Sequence, residues 1–289
     1  MKAEQLPMPE YLAIKAFSSG MAHTILTRSC LHAWLESAWN PNRVADNNNE
    51  SDAGTIAHAA ILEGNFDFVT VIDPQEHPAE KTGNIPNGWT NNSIRGARDN
   101  ARASGFTPIL KQDMPAIEAM VDTARSFIAR SALAGVFDTG APEVTVTWQD
   151  GSILCKARPD WLNDDICLHV KTTKGSVNPQ SFERLAINMG YDISLAFYDR
   201  GIERKRHVIL AIEQNAPWAC KLFELSVAQQ EISARKVERA INAWSACQKS
   251  GVYPSYSGDI HYIEPTSWQM AQAEQDMLTD EELKGGIPA

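Results

Sequence analysis

Between Glu143 and Lys171 the chain reads Glu-Val-Thr-Val-Thr-Trp, then Lys-Ala-Arg-Pro-Asp-Trp-Leu, then Leu-His-Val-Lys-Thr-Thr. Glu143, Asp160 and Lys171 fall at the ends or turns of three short segments with strand-like character, where their side chains can converge on one point. Carboxylate oxygens are the ligands that Mg²⁺ prefers, and a lysine beside such an ion could orient a water or neutralise charge building on a phosphate. Phosphodiester hydrolysis needs an in-line water, charge stabilisation on the phosphate and help for the leaving oxygen, and one or two divalent ions can supply all three. Each residue alone is weak evidence, because a Glu at a strand start or an Asp after Pro is ordinarily a surface or turn residue. The conjunction carries the reading.

The elements that must position these residues follow from periodicity. Alternation in Val144, Val146 and Trp148, then in Leu154, Lys156 and Arg158, predicts two antiparallel strands joined around Asp150-Gly151. Residues 166–171 form a third strand in which Lys171 shares a face with His169 and Thr173, opposite Val170. Residues 180–198 read as mostly helical, 207–213 and 219–225 as two more strands, and 228–249 as a closing helix. Ahead of this core, residues 17–38 have helical spacing with Ser18 and Ser19 as candidate caps, and the polar segment 40–51 is expected to be mobile. A second helix begins near Gly54 and carries Ile56, His58, Ile61 and Leu62. A Pro-, Gly-, Asn- and His-rich loop spans 73–88, followed by helices near 91–104 and 113–133. The expected fold is α/β, a mixed central sheet flanked by helices with a helical N-terminal extension. Its parts are an arm over 1–16, one domain over 17–263 (helical part 17–135, core 136–263) and an acidic tail over 264–289.

A chain of 289 residues with 43% hydrophobic content can bury a full core. It has no apolar run of about 18 residues and no basic-then-apolar N-terminus, so a cytosolic protein without membrane attachment is expected. Cys30, Cys155, Cys167, Cys220 and Cys247 are far apart, without a C-x-x-C pair, and read as buried thiols. A net charge of -10 and a pI near 5.2 argue against a generic nucleic-acid coat, but leave room for a channel of confined positive charge. Arg95, Arg98 and Arg102 form a stripe at i, i+3 and i+7, and Arg204-Lys205-Arg206-His207 is the densest basic run. Either could touch phosphates, with a solvated helix face and a strand-flanking loop as the ordinary alternatives. The tryptophans form no regular stacking platform, and no Walker A sequence is present.

Gly54-Thr55-Ile56-Ala57-His58, Glu143, Arg158-Pro159-Asp160, Val170-Lys171-Thr172-Thr173 and Gly190-Tyr191-Asp192 through Ala196-Phe197-Tyr198 together resemble the exodeoxyribonuclease VIII (RecE-type) branch of the PD-(D/E)XK nucleases. Phe17-Ser18-Ser19-Gly20 through Trp34 also resembles the opening of these proteins. The likeness covers about residues 15–250; the ordered set is fairly specific although each motif is short. It implies a 5′-to-3′ exonuclease on double-stranded DNA ends in phage- or prophage-type recombination, exposing a 3′ strand for a RecT-like annealing partner. Its cofactor would be Mg²⁺ or Mn²⁺, and its assembly a homo-oligomeric ring around DNA. By position, Glu143 and Asp160 would be metal ligands and Lys171 the catalytic lysine. His58 would sit beside the metal as the histidine of a G-x-x-x-H element. Arg158, Thr172, Thr173, Tyr198 and the Arg95, Arg98 and Arg102 stripe are the candidate DNA contacts, with core packing the alternative for Tyr198.

Two positions depart from the family pattern. Ser194 stands where Gln is common four residues before the tyrosine, and His169 stands where the family has Asp or Glu two residues before the lysine. Imidazole is a poor Mg²⁺ ligand, so the change removes a negative charge and a hard oxygen from the expected site. Three readings of His169 stand: a ligand that shifts preference toward Mn²⁺, an inactivating change that leaves a DNA-binding shell, or a register in which Asp164 or Asp165 supplies the charge. The rival function is accordingly a nuclease-dead DNA-end-binding accessory protein, and a third class is an interaction module that ignores DNA.

Overall fold

The computed structural model describes residues 2–43, 52–202 and 206–285; most of the 40–51 segment, with Arg204 and Lys205, lies outside them. The first half of the chain contains β1 (Lys2–Gln5), α1 (Met8–Ala13), α2 (Ser19–Thr27), α3 (Cys30–Glu36), α4 (Asp52–Glu63), β2 (Val69–Ile72), α5 (Asn92–Ala103), β3 (Thr107–Leu110) and α6 (Met114–Ala129). The second half contains β4 (Ala141–Pro142), β5 (Val144–Asp150), β6 (Ile153–Ala157), β7 (Trp161–Leu162), β8 (Ile166–Thr173), α7 (Pro179–Asn188), α8 (Tyr191–Gly201), β9 (Arg206–Glu213), β10 (Cys220–Phe223) and α9 (Val227–Ser250). Residues 256–289 form a separate unit carrying α10 (Ser267–Gly285), a helix that falls inside the expected tail.

The central sheet has the order β10-β9-β8-β7-β4 and is mixed: β8 and β9 run parallel, while the other neighbours are antiparallel. A parallel pair needs a crossover, and α7 and α8 supply it. A second sheet, β1-β5-β6, contains the expected hairpin, with Asp150 opposite Ile153 and Gly151 at a φ of 59° in the turn. Its third strand is the N-terminal arm, so the arm is a sheet edge joined to β5.

Pleating separates two faces of β8. Leu168 and Val170 join Ile56, Ile61, Met120 and Ala124 in the core beneath α4 and α6. Cys167 faces the opposite way, toward Ile193, Ala196 and Phe197 of α8. Fully burying one such aliphatic or aromatic side chain contributes about 1.5–3 kcal/mol, so both registers of the central strand are strongly specified.

Capping explains where the helices differ from their periodicity. The expected helix over 17–38 is two helices, because Ser29 Oγ accepts from the His32 N–H and starts α3 afresh. The stretch 180–198 likewise breaks at Gly190, whose φ of 70° and near approach to the His23 ring leave no room for a Cβ. Among the described residues no disulfide forms; Cys30, Cys155, Cys167 and Cys247 are buried and Cys220 is half-buried. No helix of the described residues is long and apolar enough to cross a membrane.

Candidate active site

Asp160 sits just before β7, and its carboxylate is gripped from two sides. The Val170 N–H donates to Oδ2 at 2.6 Å, and Lys171 Nζ lies 3.4 Å from the same oxygen. His58 Nε2 approaches Oδ1 at 3.3 Å from α4. Glu143 is tied to the same residue through its backbone, its N–H donating to the Asp160 carbonyl at 3.0 Å. Glu143 adopts a φ of 49°, a left-handed conformation that a non-glycine residue holds only when its surroundings impose it. Glu143, Asp160, His58 and Lys171 all border one cavity of about 540 Å³, together with Gly54, Thr55, Thr172, Tyr191, Gln214 and Met8. The first turn of α4 forms part of its wall, where the positive end of the helix dipole favours an anion.

The charges reinforce one another. Burial by itself would raise the Asp160 pKa, but the Lys171 charge and the His58 hydrogen bond outweigh it and hold the carboxyl well below the usual carboxylate range. Burial would lower the His58 pKa, yet the hydrogen bond and charge of Asp160 more than offset this and raise it. Asp160 is therefore an anion at neutral pH, available to a cation. The arrangement can bind a divalent ion and place a lysine beside whatever oxygen that ion activates.

The profile of a family described as a PDDEXK-like domain of unknown function (DUF3799) matches residues 18–266. The chain belongs to this family. A crystal structure described as a "Putative exonuclease" from Eubacterium rectale overlays with a TM-score of 0.56 at 12% identity, covering 93% of this chain and 99% of that one. The PDDEXK-like fold is thus common to both. The crystal structure of SSO0001 overlays with a TM-score of only 0.27 at 12% identity, over 65% of this chain and 85% of that one, too distant to carry an argument. A search of curated proteins found no match.

Within the PDDEXK-like frame, several residues fall away from the pocket. His169 is 4% exposed and does not border the cavity; its Nε2 lies 3.4 Å from Cys167 Sγ and its ring packs 5.1 Å from that of Tyr198. Burial pushes its pKa down to about 3, only partly offset by the Asp160 charge, so the ring is neutral. The expectation that His169 ligates the same ion as Asp160 is not met by this geometry. The strand from Ile166 to Lys171 alone spans about 16 Å at about 3.3 Å per residue, and Asp164 and Asp165 lie before it and do not border the cavity, which removes the alternative register.

Arg158, expected on DNA, is turned inward: Nη2 bonds Glu143 Oε2 at 2.5 Å and Nη1 donates to the Leu6 carbonyl at 2.8 Å. Tyr198 packs in the core and its hydroxyl reaches the Arg158 carbonyl at 3.4 Å; burial raises its pKa strongly. Thr172 Oγ1 accepts from Gln214 Nε2 at 2.9 Å on the pocket rim, whereas Thr173 Oγ1 accepts from the Gly175 N–H in the following turn. Arg95, Arg98 and Arg102 lie on α5, which packs on β2 and β3 rather than on the pocket; Arg95 bonds Asn92 and Arg98 pairs with Asp99. Arg206 pairs with Glu224. Sequence reasoning missed Gln214, Thr55 and Met8. For Gln214 the available signal was its position immediately after a strand parallel to the one bearing Lys171.

Proposed function

We propose that this chain is a metal-dependent DNA exonuclease that degrades linear duplex ends, 5′ to 3′, and exposes 3′ single strands for a RecT-like annealing protein in phage- or prophage-type recombination. The observation that carries the reading is the convergence of Glu143, Asp160, Lys171 and His58 on one cavity within a PDDEXK-like fold. The exonuclease description of the Eubacterium rectale protein agrees with it. Both carboxylates suit a hard cation: a carboxylate oxygen offers two lone pairs, and among the described residues Asp160 Oδ1 and Glu143 Oε2 each have one partner, in His58 and Arg158. Glu143 and Asp160 would hold Mg²⁺ or Mn²⁺, which when bound polarises a phosphoryl oxygen and lowers the pKa of a water.

Lys171, held toward Asp160, faces the same space and stabilises negative charge that develops on the phosphate. Arg158 fixes the Glu143 carboxylate, and Val170 fixes that of Asp160, so neither must be ordered when substrate arrives. Thr172 and Gln214 offer hydrogen-bond donors on the rim. A ring of copies would reconcile an acidic exterior with a basic interior around DNA.

The position of His169 favours a second reading, a nuclease-dead protein that holds DNA ends, because among the described residues only two carboxylates border the pocket. Digestion of an end-labelled linear duplex with Mg²⁺ and separately Mn²⁺, by this chain and its His169→Asp variant, separates the two. The exonuclease reading expects loss of label from this chain with at least one ion. Cleavage by the variant alone makes this chain an inactive form with its site assignment intact, and a gel shift of the same duplex then tests the end-binding reading; cleavage by neither sinks the nuclease assignment.

A further inference from the structure

Below Lys171 the odd-numbered side chains of β8 continue along one face as His169 and Cys167, and His207 of β9 stands opposite Cys167 in the parallel register. One ligand atom from each of Cys167, His169 and His207 lies within 4.8 Å of the other two. Cys167 is 0% exposed, His169 4%, and the His207 side chain 8%. Neither ring nitrogen of His207 has a hydrogen-bond partner among the described residues, although both are buried. The Asp199 carboxylate approaches His207 Nε2 at 3.8 Å, too far for a hydrogen bond. A buried polar atom without a partner costs about 1–3 kcal/mol, so a ring with two of them calls for an explanation.

We propose that Cys167, His169 and His207 form a binding site for a divalent ion of the zinc class, distinct from the carboxylate pocket, with Asp199 placed to complete it. The donor set decides the class. One thiolate and two imidazoles are borderline-soft ligands that suit Zn²⁺ and reject Mg²⁺, which requires oxygen. The dimensions agree as well. Tetrahedral zinc with Zn–S of about 2.3 Å and Zn–N of about 2.0 Å sets donor–donor separations of roughly 3.3–3.6 Å. The Cys167 Sγ to His169 Nε2 separation is already 3.4 Å. The remaining separations close by rotation of His207, which borders a small cavity of about 130 Å³ shared with Asp199, Arg206 and Glu224. That cavity is the entry path for the ion.

Binding replaces the Cys167 thiol proton, which leaves to solvent, with a sulfur–metal bond, and draws one imidazole lone pair from each histidine. The ion would cross-link β8 to β9 two residues below the strand position that presents Lys171. Its role is to fix that position, and the site does not depend on the exonuclease reading.

The test is titration of the reduced, metal-stripped full chain with Co²⁺, followed by the thiolate-to-cobalt charge-transfer band in the near ultraviolet. A band that saturates at one equivalent and is displaced by Zn²⁺ is expected. Asp160→Asn should keep it, because the carboxylate pocket is elsewhere. His207→Gln and Cys167→Ser should both lose it, and Zn²⁺ should raise the melting temperature of the natural chain but not of His207→Gln. Should Cys167→Ser fail to fold, His207→Gln decides alone. A folded natural chain that gives no band, or a band that survives in folded His207→Gln, overturns the proposal. In that case the 3.4 Å contact is only a thiol–imidazole hydrogen bond.

Discussion

Asp160 and Asp192 are alike on paper: each is an aspartate largely withdrawn from solvent, with a lysine and further donors around it. Asp192, 0% exposed in the first turn of α8, receives Ser233 Oγ and Lys236 Nζ at 2.9 Å and Gln229 Nε2 at 3.3 Å, all on Oδ2. Every one of those donors belongs to α9, and Oδ1 finds no hydrogen-bond partner among the described residues. Asp160 takes its donors from β8 and α4, which approach from different sides and leave a cavity between them. The Asp192 network therefore ties one helix to another, whereas the Asp160 network holds a charge open to a ligand. In this chain the difference lies in where the partners come from: one helix closes over Asp192, whereas two elements leave Asp160 facing a cavity.

Substitutions sharpen that contrast. Asp160→Asn should reduce Mg²⁺- or Mn²⁺-dependent cleavage below detection while duplex binding persists in a gel-shift assay; retained cleavage would refute its ligand role. Lys171→Ala should lower turnover by about 10²–10³-fold, the usual cost of removing one group that stabilises transition-state charge, with DNA affinity little changed. Loss of both would instead make Lys171 a positioning residue. Asp192→Ala should behave oppositely. Breaking a buried pair costs about 3–5 kcal/mol, and the lower end applies because Lys236, with a third of its side chain exposed, can turn to water. Urea unfolding should show that loss while turnover per folded molecule stays unchanged. If Asp192→Ala instead lost turnover at full stability, the distinction between the two aspartates would fail.

The gathering of Glu143, Asp160 and Lys171 was legible because strand patterning puts them at the ends or turns of successive strands, whereas the spacing of α4 favours a packed core histidine at His58 and only the family resemblance points it to the site. The fate of His169 was only half legible. Alternation correctly puts it on the face of Lys171, but the partners waiting there, Tyr198 and His207, come from a helix and a strand later in the chain, through a crossover no local pattern encodes. Arg158 misled for a similar reason: its acceptors are Glu143 and the Leu6 carbonyl, the latter on an arm whose Lys-Ala-Glu-Gln strand shows no alternation and exists through pairing with β5. The parallel β2–β3 pair joins two four-residue strands across an intervening helix, and such short non-local pairing leaves little local signal.

Lys156 carries the comparison to the smallest expected effect, since it is a second lysine on a strand, buried where Lys171 is half-buried, with carbonyls for partners. Its Nζ donates to the Tyr11 and Ile14 carbonyls at 2.8 and 2.9 Å, capping the end of α1, and lies 4.7 Å from the centre of the Tyr11 ring. Burial pulls its pKa down from 10.5 to about 8, and the Arg43 charge adds to the shift. The folded value lies below the unfolded one, so between those pH values the unfolded chain holds more protons. This group's contribution to stability therefore rises with pH through that window, and its desolvation cost is fully present below it. Lys156→Met should flatten that rise in urea midpoints measured across the window. It should also cost about 1–3 kcal/mol for the orphaned carbonyls. An unchanged slope would assign the titration to another group. Because Met8 of the same helix borders the candidate pocket, loosening α1 should raise the KM for duplex DNA with kcat nearly constant, whereas the loss of Lys171 falls on kcat. Two lysines would then be separated by one kinetic experiment, the first framing the pocket and the second acting within it.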